Sequence, residues 1–226
     1  YETRPEAMNL LGIYEAMTGR SREVTLSDSH LAMTVRLLSY APETAALIPL
    51  VVHEADTGNF TPLAGQAMRI EAQLQSAISF GMHNSVVCTE DVPFYGDLTA
   101  LQPALEAAYL GADQVRALET ICGLWPRGVR HDDLAEPLRS DRPVLLLSGE
   151  FDPITPPAYA ERAAAGLTRS RHLVAPGQGH GVIARGCVPQ IAEDFIEAAA
   201  VDDLDTACLD RLAADPFFVD LLGPPP

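Results

Sequence analysis

The segment VLLLSGEFDPITPP, residues 144–157, constrains the fold more than any other stretch of the chain. Four apolar residues run directly into Ser148 and Gly149, an acid follows at Asp152, and three prolines come next. A short, continuous apolar run that ends at a glycine is typical of a strand covered on both faces in a parallel sheet. The prolines favour a helix after the turn, with Thr155 as its predicted cap. The segment therefore predicts a strand, a rigid turn and a helix.

A second unit of the same kind follows along the chain. Residues 171–175 predict another strand, the loop PGQGHG at 176–181 contains His180, and a helix fits residues 188–199. Together they predict a right-handed βαβ unit with one final helix. Two parallel strands do not form a stable sheet alone, because their faces and free edges need further strands. We therefore expect this α/β portion to be incomplete by itself, with an N-terminal half supplied by the same gene product or by a separate chain.

The chain before this point has a different pattern. Residues 5 to about 125 predict helices broken by turn signals, and they show no strand-like alternation long enough to indicate a strand. The stretch Trp125–Gly128 contains proline and glycine and predicts a boundary. The sequence thus divides into a helical region over residues 1–130 and an α/β portion over residues 131–226.

The charge of the chain argues against two classes of partner. A net charge of −16 at pH 7 repels nucleic-acid phosphates and anionic lipid headgroups. The sequence also lacks the roughly 18 to 20 consecutive apolar residues that a membrane span needs. We therefore expect neither a nucleic-acid partner nor a membrane.

Asp152 and His180 follow two successive predicted strands and are 28 residues apart. In open α/β sheets, catalytic side chains lie in loops at the carboxyl ends of strands. An acid followed by a histidine matches the last two members of a triad whose chain order is nucleophile, acid, base. Taken singly, each residue is better explained as a turn acid or a solvated loop histidine, so the hypothesis depends on their matching positions.

A nucleophile is missing from this pattern. None of the ten serines lies in the motif G-x-S-x-G, and the nearest approach, Gly19-Arg20-Ser21-Arg22-Glu23, lacks the second glycine. The residues before Asp152 predict helices without a strand–turn–helix elbow. We therefore expect the nucleophile to lie outside this chain.

Four cysteines are present, at positions 88, 122, 187 and 208. They have neither C-x-x-C nor His/Cys metal spacing, which leaves buried thiols or two disulfides. Sequence order favours the pairs Cys88–Cys122 and Cys187–Cys208. No metal site is predicted.

Several motifs resemble one enzyme family. SGEFDPITPP, APGQGHG and the pair Gly186-Cys187 are similar to the C-terminal end of α/β-hydrolases of the tripeptidyl aminopeptidase-like and prolyl aminopeptidase group. GMHNSVVCTED at 81–91 and ICGLWP at 121–126 resemble the region where the helical lid of that family rejoins the core. The resemblance covers about residues 60–210. It implies a helical lid over residues 1–130, of which the first 60 residues fit only as generic lid helices. The C-terminal βαβα portion of an α/β-hydrolase sheet would follow over residues 131–226.

The resemblance also implies roles for particular residues. Asp152 would be the triad acid and His180 the base, both cysteine pairs would be disulfides, and the protein would be secreted or periplasmic. No metal or organic cofactor is expected. Such aminopeptidases recognise a free α-amino group, and Glu90 and Asp91 are the candidate carboxylates, although a helix cap or a solvated acidic turn is the simpler explanation of these two residues.

These observations predict the C-terminal portion of a serine hydrolase, an aminopeptidase that releases residues or short peptides from peptide N-termini. The chain alone is expected to be inactive. Alternative functions are a lid-bearing esterase, an epoxide hydrolase or a dehalogenase with the same acid and base. A further alternative from another class is a non-catalytic fragment that binds a partner chain.

Overall fold

The computed structural model describes residues 8–14 and 21–225. They form two compact units. The first contains the described residues up to Thr34 together with Leu63–Glu136, and the second contains Val35–Pro62 together with the chain from Pro137 onward. The division into a lid over residues 1–130 and a core portion over 131–226 stays a prediction.

The first unit begins with two strands. β1 (Met8–Tyr14) pairs antiparallel with β2 (Ser21–Leu26), and the register shifts between Leu10 and Ile13. The prediction that this region is helical was therefore wrong. Short apolar runs satisfy helix and strand patterns equally well, and the pairing between two such runs decides which of the two forms.

The helices account for most of the remaining structure before residue 125. They are α1 (Asp28–Leu38), α2 (Pro42–Ala45), α3 (Ile48–Asp56), α4 (Thr61–Ala77), α5 (Phe80–Val86), α6 (Leu98–Ala107) and α7 (Asp113–Leu124). One turn of π-helix (Val87–Asp91) and one of 3-10 helix (Val92–Phe94) lie between α5 and α6. None of the helices in the described part of the chain is long and apolar enough to cross a membrane.

The second unit contains the predicted strand–helix–strand unit. β3 (Val144–Gly149) pairs in parallel with β4 (Ser170–Ala175), and α8 (Pro157–Ala164) connects them. The register sets Gly149 opposite Ala175, so both strands end at the same edge. In the described residues β3 has β4 as its only strand partner. This small parallel sheet is compatible with part of an α/β-hydrolase.

The core of the second unit lies beside this sheet. α9 (Val188–Ala198) buries Val188 and Ile191 against Leu204 and Leu209. Three leucines of the sheet pack on this cluster: Leu145, Leu147 and Leu173. Leu209 belongs to a 3-10 helix, Ala207–Arg211. Burial of these side chains holds α9, and with it the loop before α9, against the strand ends.

Each unit contains one disulfide. The structure joins Cys88 to Cys122 in the first unit and Cys187 to Cys208 in the second, the pairing that sequence order favours. No free cysteine remains.

Candidate active site

The acid and the base meet at the carboxyl ends of β3 and β4. His180 Nδ1 lies 2.9 Å from Asp152 Oδ2, which is hydrogen-bond distance. The Asp152 side chain is 4 % exposed, whereas the His180 side chain is 41 % exposed. A buried carboxylate thus holds one nitrogen of an accessible imidazole, and the ring's other nitrogen, Nε2, is left to exchange a proton with a substrate or nucleophile.

The turn after β3 saturates the Asp152 carboxylate with hydrogen bonds. Oδ1 accepts the N–H groups of Ile154 at 2.8 Å and Thr155 at 2.9 Å, and Oδ2 accepts the Thr155 hydroxyl at 2.9 Å as well as His180. Burial by itself would raise the pKa of Asp152. The hydrogen bonds from Thr155, Ile154 and His180 outweigh burial and hold the pKa below its ordinary value of 3.8. The carboxylate is therefore ionised at neutral pH.

Thr155 has a different task from the predicted one. The prediction that it caps α8 was wrong, because Pro156 occupies the cap position and no side chain there makes a cap hydrogen bond. The Thr155 hydroxyl instead donates to Asp152 and lies 3.4 Å from His180 Nδ1. A hydrogen bond from the hydroxyl to a charged carboxylate is stronger than one between the hydroxyl and a neutral backbone N–H. The Thr155 side chain therefore binds Asp152 and does not cap the helix.

Hydrogen bonds join the loop that carries His180, residues 176–180, to the turn that carries Asp152. The Gly177 N–H donates to the Glu150 carboxylate at 2.8 Å, and the Phe151 N–H donates to the Gln178 carbonyl at 2.9 Å. At Gly149, an added Cβ would lie 2.0 Å from the carbonyl oxygen of Gly179. Glycine is required there because the two loop backbones approach so closely.

A segment far away in sequence holds the other side of this loop. The His180 N–H donates to the Tyr40 carbonyl at 2.7 Å, and the Tyr40 ring contacts the imidazole edge-on with ring centres 5.6 Å apart. A Cβ at Gly179 would lie 2.4 Å from the same carbonyl oxygen. The sequence analysis missed Tyr40 and Glu150. Glu150 stands within the quoted motif, whereas the only signal near Tyr40 is the helix-starting Pro42.

The candidate amine-binding carboxylates lie in the first unit, not in the unit of Asp152 and His180. Glu90 and Asp91 are both exposed and end the π-helix Val87–Asp91. This turn is fixed by the buried Cys88–Cys122 disulfide and by Thr89, whose hydroxyl donates to the Ser85 carbonyl at 2.6 Å and accepts the Gly128 N–H at 2.9 Å. Single π-turns are frequent at functional sites, but the role of these two carboxylates stays a prediction.

No serine in the described residues joins Asp152 and His180 by a hydrogen bond. Ser27 lies between β2 and α1, so the prediction that only helices precede Asp152, without a strand that leads into a helix, was wrong. Its Oγ lies 2.8 Å from Nδ1 of His30 in the first turn of α1, and its own N–H donates to the same nitrogen at 3.2 Å, as in a helix cap. Thr25 and Ser29 stand where a nucleophile elbow has glycines, and Ser27 belongs to the first unit.

Residues 107–208 match the family model described as TAP-like protein. The searches of curated proteins and of solved structures gave no significant match. The match includes β3, β4, Asp152, His180 and three of the four cysteines. The matched region is therefore that of an α/β-hydrolase of the tripeptidyl aminopeptidase-like group.

Proposed function

We propose that this chain is the C-terminal portion of a serine hydrolase that releases residues or short peptides from the N-termini of peptides. The single observation that carries the proposal is the 2.9 Å contact between His180 Nδ1 and Asp152 Oδ2. The family match supports a hydrolase in general. Peptidase action on free N-termini is the finer part of the proposal, and it rests on the resemblance to aminopeptidases.

The reaction follows from the arrangement of the acid and the base. A serine outside this chain attacks the substrate carbonyl while His180 Nε2 accepts its proton, and the imidazolium then returns that proton to the leaving amine. Asp152, held ionised by its hydrogen bonds, fixes the ring with Nδ1 toward the carboxylate and stabilises the imidazolium. Backbone N–H groups of the same missing half hold the oxyanion.

Substrate choice and location complete the proposal. Glu90 and Asp91 bind the substrate's α-ammonium group, and the acidic chain as a whole attracts cationic peptide ends. Two disulfides fit an oxidising compartment, so we place the protein outside the cell or in the periplasm. The N-terminal half of the hydrolase is the partner that supplies the nucleophile.

The test uses the complete hydrolase, with the N-terminal half present. We expect it to hydrolyse leucine p-nitroanilide, and to hydrolyse the N-acetylated compound at least about tenfold more slowly because the ammonium is lost. The His180→Ala variant should lose about 1,000-fold or more in kcat. His131→Ala, which replaces an exposed histidine of the first unit, is the matched control and should leave kcat unchanged.

Two results would contradict the proposal. One is full activity in the His180→Ala variant. The other comes from labelling with a fluorophosphonate, which reacts with activated serines: mass spectrometry should find the label on a serine outside these 226 residues, and a label on Ser27 or any other serine of this chain would overturn the assignment. Faster turnover of a leucine ester than of the anilide, with no preference for a free amine, would favour the esterase instead.

A further inference from the structure

An apolar cavity of about 330 Å³ lies within the second unit, beside the loops that hold the acid and the base. Its walls come from the start of α2 and α3, from both site loops and from the segment after Leu212. They include Ala45, Ala46, Phe151, Gly179, Asp215 and Phe217. Ligand sites in proteins have volumes of roughly 300 to 1,000 Å³ and mostly apolar linings, so this cavity is of the right size and chemistry for a small ligand group.

The cavity adjoins the candidate active site through sequence neighbours of the acid and the base, although Asp152 and His180 themselves line a separate pocket. Phe151 is the neighbour of Asp152 in sequence, and Gly179 is the neighbour of His180. The Phe151 N–H donates to Gln178, and the His180 N–H donates to Tyr40, so the walls are held by the same hydrogen bonds that hold the acid and the base. A group bound in the cavity would therefore rest against the loop that carries the base.

The floor and the rim of the cavity differ in character. Ala46 is 1 % exposed and forms part of the buried floor, whereas the rings of Phe151 and Phe217 are each 61 % exposed. Exposed aromatic rings beside a concave apolar surface are typical of binding sites, because they cover a ligand at low entropic cost. The backbone beside Phe217 is held in the second unit, since the Phe218 N–H donates to the Ala46 carbonyl at 3.0 Å.

Asp215 is the one charged residue in this lining, and it is exposed. Its carboxylate repels an anionic ligand group and favours a neutral or cationic one. Because the carboxylate is in contact with water, the discrimination should be small, about two- to fivefold in affinity.

We propose that this cavity binds an apolar side chain of the substrate, of the size of leucine or phenylalanine, on a residue that carries no nearby carboxylate. The role of the cavity as a substrate subsite rests on the proposed function, whereas binding of the apolar side chain does not depend on it. The cavity thereby selects peptides that carry an apolar residue, and it disfavours those with an acidic group on that residue.

The test measures binding to this chain without any activity assay. Leucinamide, N-acetyl-leucinamide and N-acetyl-leucine have the same side chain, and their backbone groups carry net charges of plus one, zero and minus one. We expect leucinamide to bind with a Kd of about 1 to 10 mM, as is usual for so small a ligand, and to shift the NMR amide signals of Gly177, Gly179 and Phe217. N-acetyl-leucine should bind about two- to fivefold more weakly than N-acetyl-leucinamide, and Asp215→Asn should abolish that difference.

Two variants and one control test the place of binding. Ala45→Trp fills the cavity and should weaken leucinamide binding at least about tenfold, and Phe217→Ala removes an exposed wall and should weaken it without affecting the fold. Ala72→Trp places the same ring on the exposed face of α4 in the first unit and should change nothing. Unchanged binding in both Ala45→Trp and Phe217→Ala, or no shift of the cavity amides at 50 mM leucinamide, a concentration about five times the weakest expected Kd, would overturn the proposal.

A final comparison separates this inference from the proposed function. If His180→Ala leaves the complete hydrolase fully active while leucinamide binds the cavity, then the triad is wrong and the cavity proposal stands. If the complete hydrolase no longer binds leucinamide at these amides, the N-terminal half covers the cavity and the proposal fails.

Discussion

At the scale of single residues, the candidate site is built around one carboxylate with four hydrogen-bond donors. Two are backbone N–H groups in the turn after β3, one is the Thr155 hydroxyl, and one is His180. The prolines of this turn limit its backbone freedom, so little entropy is lost when the donors converge. A rigid turn therefore keeps the acid charged in a place where burial alone would neutralise it.

The low pKa of Asp152 has a consequence for stability. A group whose pKa is lowered by folding stabilises the protein above its ordinary pKa of 3.8, and this contribution disappears as the pH falls through the lower folded value. We expect Asp152→Asn to lower the free energy of unfolding at pH 7 and to differ less from the wild type as the pH falls below 3.8. Urea unfolding at several pH values measures the difference. Asp203→Asn, an exposed control, should show no such trend, and a constant difference for Asp152→Asn would contradict the expectation.

At the scale of elements, the site depends on three segments that touch through their backbones. Gly179 lies between the end of β3 and the segment before α2, with the Tyr40 carbonyl on one side. Such contacts leave no room for a side chain.

Glycine-to-alanine variants test this close approach. Gly179→Ala should cost about 1 to 3 kcal/mol of unfolding free energy, because the added methyl group pushes the loop away from Tyr40. Gly65→Ala introduces the same methyl group into α4, where nothing lies within 4 Å, and should be neutral or stabilising by up to about 1 kcal/mol. Thermal unfolding measures both, and equal effects of the two changes would show that the loop contact has no energetic importance.

The sequence predicts these elements unevenly. The continuous apolar run before Gly149 places β3 well, because a buried strand needs such a run whatever its neighbours are. β4 has only three apolar residues, Leu173–Ala175, before Pro176, and its place follows from the repeated strand–loop–helix order. The same logic fails for Met8–Tyr14 and Ser21–Leu26, whose strand state depends on pairing with one another. The meeting of Asp152 with His180 follows from parallel topology, whereas the contact between Tyr40 and His180 joins residues 140 positions apart and leaves no local pattern.

At the scale of the whole molecule, each compact unit has its own disulfide. The bonds join cysteines 34 and 21 residues apart. Both cysteines of each bond belong to the same unit, so neither bond crosses from one unit to the other. Each cross-link reduces the conformational freedom of the unfolded chain in its own unit only.

Removal of the bonds one at a time should therefore have local effects. We expect the double change Cys187→Ser and Cys208→Ser to destabilise the second unit by about 3 kcal/mol, and to increase hydrogen exchange in β3, β4 and α9. The change Cys88→Ser with Cys122→Ser should act on the first unit by about 4 kcal/mol and leave exchange in β3 and β4 unchanged. Hydrogen exchange read by mass spectrometry distinguishes the two, and identical exchange patterns would argue against two separately stabilised units.

The one-sided pairing of β3 has a consequence for how this polypeptide must be handled. The strand begins with Val-Leu-Leu-Leu, and in the described residues the backbone groups along one of its sides meet no other strand. Unpaired N–H and C=O groups along so apolar a strand are a template on which strands of other molecules can pair. Such pairing starts fibrils and precipitates. An uncovered edge of this kind should therefore lower the solubility of the polypeptide whenever it is handled by itself.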